Sequence, residues 1–164
     1  MNEEQTASLT KLKGLLEGID FTMLTTIADG RMHSRPMSTQ ELDEDGYLWF
    51  FSSFDTRKVD EINADNRINA AYSDPDGNTY VSVFGTAEVV RDRSKIEELW
   101  SPVHKAWFPE GVDDPSICLL KVKVEEAEYW DAPSSKFVQL AGFVKALVTG
   151  QEADYGDHGT VRVA

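Results

Sequence analysis

Cysteine is almost missing from this 164-residue chain: Cys118 stands alone, so no internal disulfide can form and a reducing, intracellular setting is expected. Basic residues are scarce, with 16 Lys and Arg against 29 Asp and Glu, for a formal charge of −13. A polyphosphate meets net repulsion from such a chain, which argues against a protein that coats nucleic acid. The three histidines, His33, His104 and His158, are far apart in sequence and none neighbours Cys118, so no metal site is expected. No run of about 18 apolar residues occurs, which excludes a membrane-spanning helix. The opening MNEEQTASLTKLKG is polar and acidic where a secretory signal would be basic and then apolar, so a cytoplasmic location is expected. The dinucleotide GxGxxG, phosphate-loop, HExxH, CxxC and GxSxG patterns are missing as well.

What is present is a globular pattern, 41% hydrophobic, of a length that suits one domain. Leu9, Leu12, Leu15 and Leu16 share one face of a helix over Thr6–Gly18. FTMLTTI (Phe21–Ile27) and the run from Met32 to Glu41 flank Asp29-Gly30, a strong hairpin signal. YLWFFSS (Tyr47–Ser53) follows the acidic turn Glu41–Asp45, which reads as solvated. A short helix is expected over Thr56–Ala64, with Asp55 or Thr56 as its N-cap. Strands follow at Arg67–Ser73, Asn78–Arg91 and Ile117–Asp131, and Gly85 marks a bulge or bend in the second of them. Ser94–Trp107 is helical with a kink or break at Pro102, and a last helix covers Ser134–Val148. The tail from residue 151 to 164 is polar and expected to be loose apart from Val161 and Val163. Six strands with helices between them, no repeats and no linker predict a mainly β, six-stranded antiparallel barrel, closed or split. One domain then spans residues 1–164, with its core over about 12–150.

Three features bear on chemistry. Arg35-Pro36-Met37 lies in an expected strand where proline cannot donate to the ladder; this places it at an edge, at a bulge or against a ligand. Arg57-Lys58 occupies the first turn of a helix, preceded by Ser52, Ser53 and Thr56. The pair is either a solvated basic pair or, with the free helix N–H groups, a phosphate site. Trp49, Trp107-Phe108 and Tyr129-Trp130 put aromatic rings among polar neighbours, as core, as dimer interface or as a platform for a flat heterocycle. Cys118, in ICLLKV, reads as a small core residue.

The order FTMLTTI-ADG-RMHSRPMS, YLWFFSSFDTRKVDEI, NTYVSVFGTAEVVRD and AEYWDAPSS resembles the FMN-binding split barrel, in its general stress protein branch related to pyridoxamine 5'-phosphate oxidase. The resemblance covers about Leu12 to Gly150. It implies a six-stranded split barrel with flanking helices and a homodimer with two cofactor sites in the clefts between subunits. It further implies that Arg35, Pro36, Met37 and Ser38 run beneath the isoalloxazine ring, with the Arg35 side chain at the pyrimidine edge. Phe51, Ser52 and Ser53 would lie beside the ribityl chain and phosphate, and Arg57 and Lys58 would hold the phosphate. Trp130, in the pattern W-x-x-x-x-S, matches a tryptophan supplied by the partner subunit, and Trp107 lines the same cleft. The implied cofactor is FMN, with FAD, a deazaflavin or haem as the alternatives, and His33 is the sole candidate axial ligand for haem. The oxidase carries a basic stretch after its ring-binding Arg where Met37-Ser38-Thr39-Gln40 stands here, and the tail offers only Arg162. The implied activity is therefore flavin chemistry on an unidentified small molecule, or flavin binding without turnover, rather than oxidation of pyridoxamine phosphate. No acid–base pair is visible in the sequence, and a flavin that carries its own redox chemistry needs none.

Overall fold

A computed structural model describes residues 1–132, 136–150 and 156–164. Helix α1 (Glu3–Leu16) begins at a capping box between Asn2 and Gln5 and buries Leu9 and Leu12. Strands β1 (Phe21–Ala28) and β2 (Arg31–Ser38) form a hairpin whose turn, Asp29-Gly30, has both φ angles positive, as a two-residue hairpin of this type requires. The extended run after Met32 stops at Ser38, and Glu41–Leu42 forms a separate two-residue strand, β3. β4 (Tyr47–Ser53), α2 (Arg57–Ala64), β5 (Arg67–Asp74) and β6 (Thr79–Val90) follow. Pro102 splits the next helical stretch into α3 (Arg93–Leu99) and a short 3-10 helix, Pro102–Ala106. β7 (Ile117–Asp131), α4 (Lys136–Thr149) and β8 (Asp157–Arg162) complete the chain. Ser134 and Ser135, placed in the last helix by the sequence reading, lie outside the described residues.

The strands form one antiparallel sheet in the order β2-β1-β5-β6-β7-β4-β3, with β8 added beside β7. Among the described residues there are thus eight strands rather than six, and the hydrogen-bonded order does not close into a full barrel. The tail was expected to be loose, yet Asp157–Arg162 pairs along β7 with Val161 opposite Ala127. Val161 and Val163 are buried in the main core, and that burial fixes the strand. Gly85 produces the expected bulge: Phe84 faces Glu126 while Gly85 faces Val124.

Alternation along the strands divides the side chains between two cores. Leu24, Leu48, Phe50, Ile68, Val81, Val83, Leu120 and Val122 fill the barrel side, capped by α1 and α2, with Cys118 among them as a fully buried free thiol. Trp49, Phe108, Ile117 and Leu119 pack on the other side with Phe51, Trp100 and Ile96. Trp49 belongs to this second core, and its Nε1 donates to Asp43 Oδ2 at 2.8 Å. Among the described residues no helix is long and apolar enough to cross a membrane.

Candidate functional site

Helix α2 lies against β1 and β6, so the inner face of the β1–β2 hairpin looks onto it. Register pairs Thr26 with His33 and Leu24 with Arg35, and all four side chains point to that face. β2 is the outer strand of the sheet, the position its proline requires. Arg35 nevertheless does not face solvent. Its Nη2 donates to Glu61 Oε2 at 2.8 Å and its Nη1 to Thr26 Oγ1 at 2.5 Å.

Glu61, which sequence reasoning missed, is the hub of the arrangement. Its carboxyl is only 4% exposed and also accepts from Thr26 Oγ1 at 2.5 Å, from His33 Nδ1 at 2.8 Å and from Arg57 Nε at 2.7 Å. A carboxylate can only accept, so the His33 proton facing it sits on Nδ1. Burial opposes the charge, but hydrogen bonds from Thr26, His33 and Arg35, together with the Arg35 charge, bring the Glu61 pKa down to about 2. The structure therefore assembles a carboxylate–histidine pair that no linear motif announces.

The remaining cation is held differently. Lys58 is half-buried, and its Nζ donates to Ser52 Oγ and Thr56 Oγ1, both at 3.2 Å. Burial, and then the Arg35 charge, lower its pKa, and no carboxylate lies within 4 Å of it among the described residues. Thr56 occupies the N-cap position of α2, but its hydroxyl donates to Ser53 O and no side chain caps the helix. Asp55 instead accepts from Ser53 Oγ. Arg57 is 72% exposed and committed to Glu61, with His33 beside it. Hydroxyls, an uncapped helix terminus and an ammonium without a carboxylate suit an anion.

Other sequence-derived candidates fall elsewhere. Pro36 faces Met23 in the ladder, and Met37 packs at the edge of the barrel core. The Ser38 carbonyl and hydroxyl accept from Gln40 Nε2. Phe51 points away from Ser52, into the second core, where its ring lies 4.4 Å from that of His104. Trp107 is exposed beyond the 3-10 helix, and Trp130 stacks on His158 with ring centroids 5.0 Å apart. Within one chain neither indole takes part in the Glu61 cluster. Clefts of about 430 and 410 Å³ beside α1 also share no residue with it. Among the described residues no group of three or more His, Cys, Asp or Glu could hold a metal ion.

Residues 7–154 match the family model of pyridoxamine 5'-phosphate oxidase-like proteins. The chain belongs to the pyridoxamine 5'-phosphate oxidase-like family. Similar structures include a Jannaschia sp. CCS1 chain assigned to general stress protein 26, at 32% identity and a TM-score of 0.73. That match covers 96% of this chain and 99% of the other. The general stress FMN/FAD binding protein of Xanthomonas citri is similar at 27% identity and a TM-score of 0.65, covering 76% and 89% of the two chains. Protein bli-3 of Neurospora crassa is 26% identical over 156 residues, 88% of this chain and 75% of that protein. This member of the pyridoxamine 5'-phosphate oxidase-like family thus combines the family's antiparallel sheet and flanking helices with the Glu61-centred cluster described above.

Proposed function

We propose that the chain is a homodimeric, general-stress-type flavoprotein that binds FMN and serves as an oxidoreductase on a small molecule. The observation that carries this reading is the anion-receptive end of α2, where Lys58 Nζ meets the Ser52 and Thr56 hydroxyls and no side chain caps the helix. A terminal phosphate monoester fits that group of donors, which favours FMN over FAD or a deazaflavin. Membership of the family and likeness to a protein described as FMN/FAD binding support the same reading. Arg35, Pro36, Met37 and Ser38 would lie along the flavin ring and Ser52, Ser53 and the Phe51 backbone beside its side chain, with Trp130 reaching the cleft from the partner and Trp107 lining it. Bound there, the flavin supplies hydride and electron transfer, and the protein positions it and sets its electrostatic surroundings.

The test is an absorbance spectrum after FMN is added and the protein is desalted. Retained visible bands of an oxidised flavin are expected, and a colourless protein sinks the reading. Lys58→Ala should weaken FMN binding by about ten- to a hundredfold, the scale of one charge-assisted contact. Arg57→Ala should cost less, because that guanidinium is already bound to Glu61. Parallel titrations with FAD and a deazaflavin check the cofactor. Reduction of the bound flavin by NADH or NADPH separates an oxidoreductase from a non-catalytic flavin module.

A further inference from the structure

The second core contains a histidine among its aromatic rings. His104 is 7% exposed, and the rings of Phe51 and Trp100 lie against it at a tilt, with centroids 4.4 and 5.3 Å away. A buried imidazole needs a partner at each nitrogen, and here each partner fixes a direction. The Ser101 amide points its N–H at Nδ1 from 2.9 Å. A backbone N–H can only donate, so Nδ1 accepts, although Ser101 O also lies 3.1 Å from it. The ring proton therefore sits on Nε2, which donates to Gln40 Oε1 at 2.9 Å, 64 residues away in sequence. That contact in turn orients the Gln40 amide. Its Nε2 donates to the Ser38 carbonyl at 3.0 Å and to Ser38 Oγ at 3.3 Å. The Gln40 backbone N–H donates to Trp49 O at 2.9 Å, so residue 40 itself is pinned to β4.

Polarity thus runs one way, from Ser101 through His104 and Gln40 to Ser38, and it ends at a hydroxyl whose oxygen already accepts. The Ser38 hydroxyl proton meets no acceptor among the described residues. Ser38 is partly exposed at the end of β2, the outer strand that the reading above lays along the flavin ring. A serine hydroxyl without neighbours can rotate to donate or to accept. This one is left as a donor. The polar side of an oxidised flavin ring presents mostly acceptors, two carbonyl oxygens and unprotonated ring nitrogens, with a single N–H. We propose that His104 and Gln40 are positioning residues that hold the Ser38 hydroxyl as a hydrogen-bond donor to an acceptor atom of the flavin ring. This rests on the flavin reading given above and adds two residues that act through Ser38 without touching the cofactor. A donor at that atom favours the electron-rich reduced ring over the oxidised one, so the same chain of bonds bears on affinity and on potential.

FMN is titrated into the full chain and into Ser38→Ala, Gln40→Met and the double variant, with circular dichroism as the check on folding. Ser38→Ala should raise the FMN dissociation constant about three- to tenfold, the scale of one hydrogen bond between uncharged groups. Gln40→Met should weaken binding by a similar factor in the wild-type background and by nothing further in Ser38→Ala. Both single variants should also lower the midpoint potential of the bound flavin. A residue that is merely structural would weaken both redox forms equally and leave the potential where it is. His104→Phe, which keeps an aromatic ring in the core, reads the same chain of bonds should Gln40→Met fail to fold. Its expected signature is a loss of affinity in wild type that is absent in Ser38→Ala. Losses that multiply in the double variant overturn the proposal, as does an unchanged dissociation constant in Ser38→Ala; in both cases retained FMN leaves the flavin reading standing. A wild-type protein that holds no FMN overturns both.

Discussion

Glu61 shows how one buried charge can organise an otherwise conventional sheet edge. Four side chains from β1, β2 and α2 converge on its two oxygens. Glu61→Gln keeps the shape but turns an amide NH2 group toward donors that need an acceptor, and it leaves Arg35 without its counter-charge. Breaking one side of a buried pair costs about 3 kcal/mol, so the denaturant midpoint should fall with little change in slope. A midpoint equal to that of the wild type would mean the cluster is not coupled to folding. This residue was not legible in TRKVDEINA. At i+4 from Arg57, Glu61 looks like half of an exposed helix pair. Its burial is decided by the hairpin that α2 covers, and a one-dimensional pattern does not encode that contact. Arg35 and Lys58 were legible as unusual cations, but their different partners were not: Arg35 is tied to a carboxylate, and Lys58 rests against hydroxyls.

At the scale of elements, alternation and turn chemistry marked most of the sheet. Tyr47–Ser53 and Ile117–Asp131 form strands with the limits their sequences suggest, because apolar alternation runs through both and turn residues bound them. DHGTVR was opaque because only Val161, and Val163 just beyond it, signal an inward face; pairing with β7 and packing under α1 supply the rest. Gly85 was legible for a reason the structure makes specific. A Cβ there would overlap the Lys123 carbonyl oxygen across the bulge, and that neighbour is backbone that cannot swing aside. Gly85→Ala should therefore cost about 2–3 kcal/mol, the range of overpacking in a well-packed interior. The same substitution at Gly14, where an added Cβ meets nothing within 4 Å, should not destabilise the protein. Chemical denaturation of the two variants side by side checks the contrast.

For the whole molecule, the acid response follows from two buried groups that are held in opposite charge states. His104 packs at a tilt against the Phe51 and Trp100 rings, and its Nδ1 accepts from the Ser101 amide while its Nε2 donates to Gln40 Oε1. Burial lowers its pKa below the ordinary 6.5, so the unfolded chain takes up this proton first and stability begins to fall as pH drops below about 6.5. Glu61 is held ionised down to about 2 against an ordinary 4.5. The unfolded chain binds that proton first as well, so a second loss runs from about 4.5 down to about 2. Unfolding free energy measured against pH should therefore descend in an upper limb that begins below about 6.5 and in a lower limb from about 4.5 to about 2. His104→Gln should flatten the upper limb and leave the lower one, and Glu61→Gln should do the reverse. If the lower limb survives in Glu61→Gln, acid destabilisation arises from the dispersed surface carboxylates, and the buried carboxylate does not govern the stability of this fold in acid.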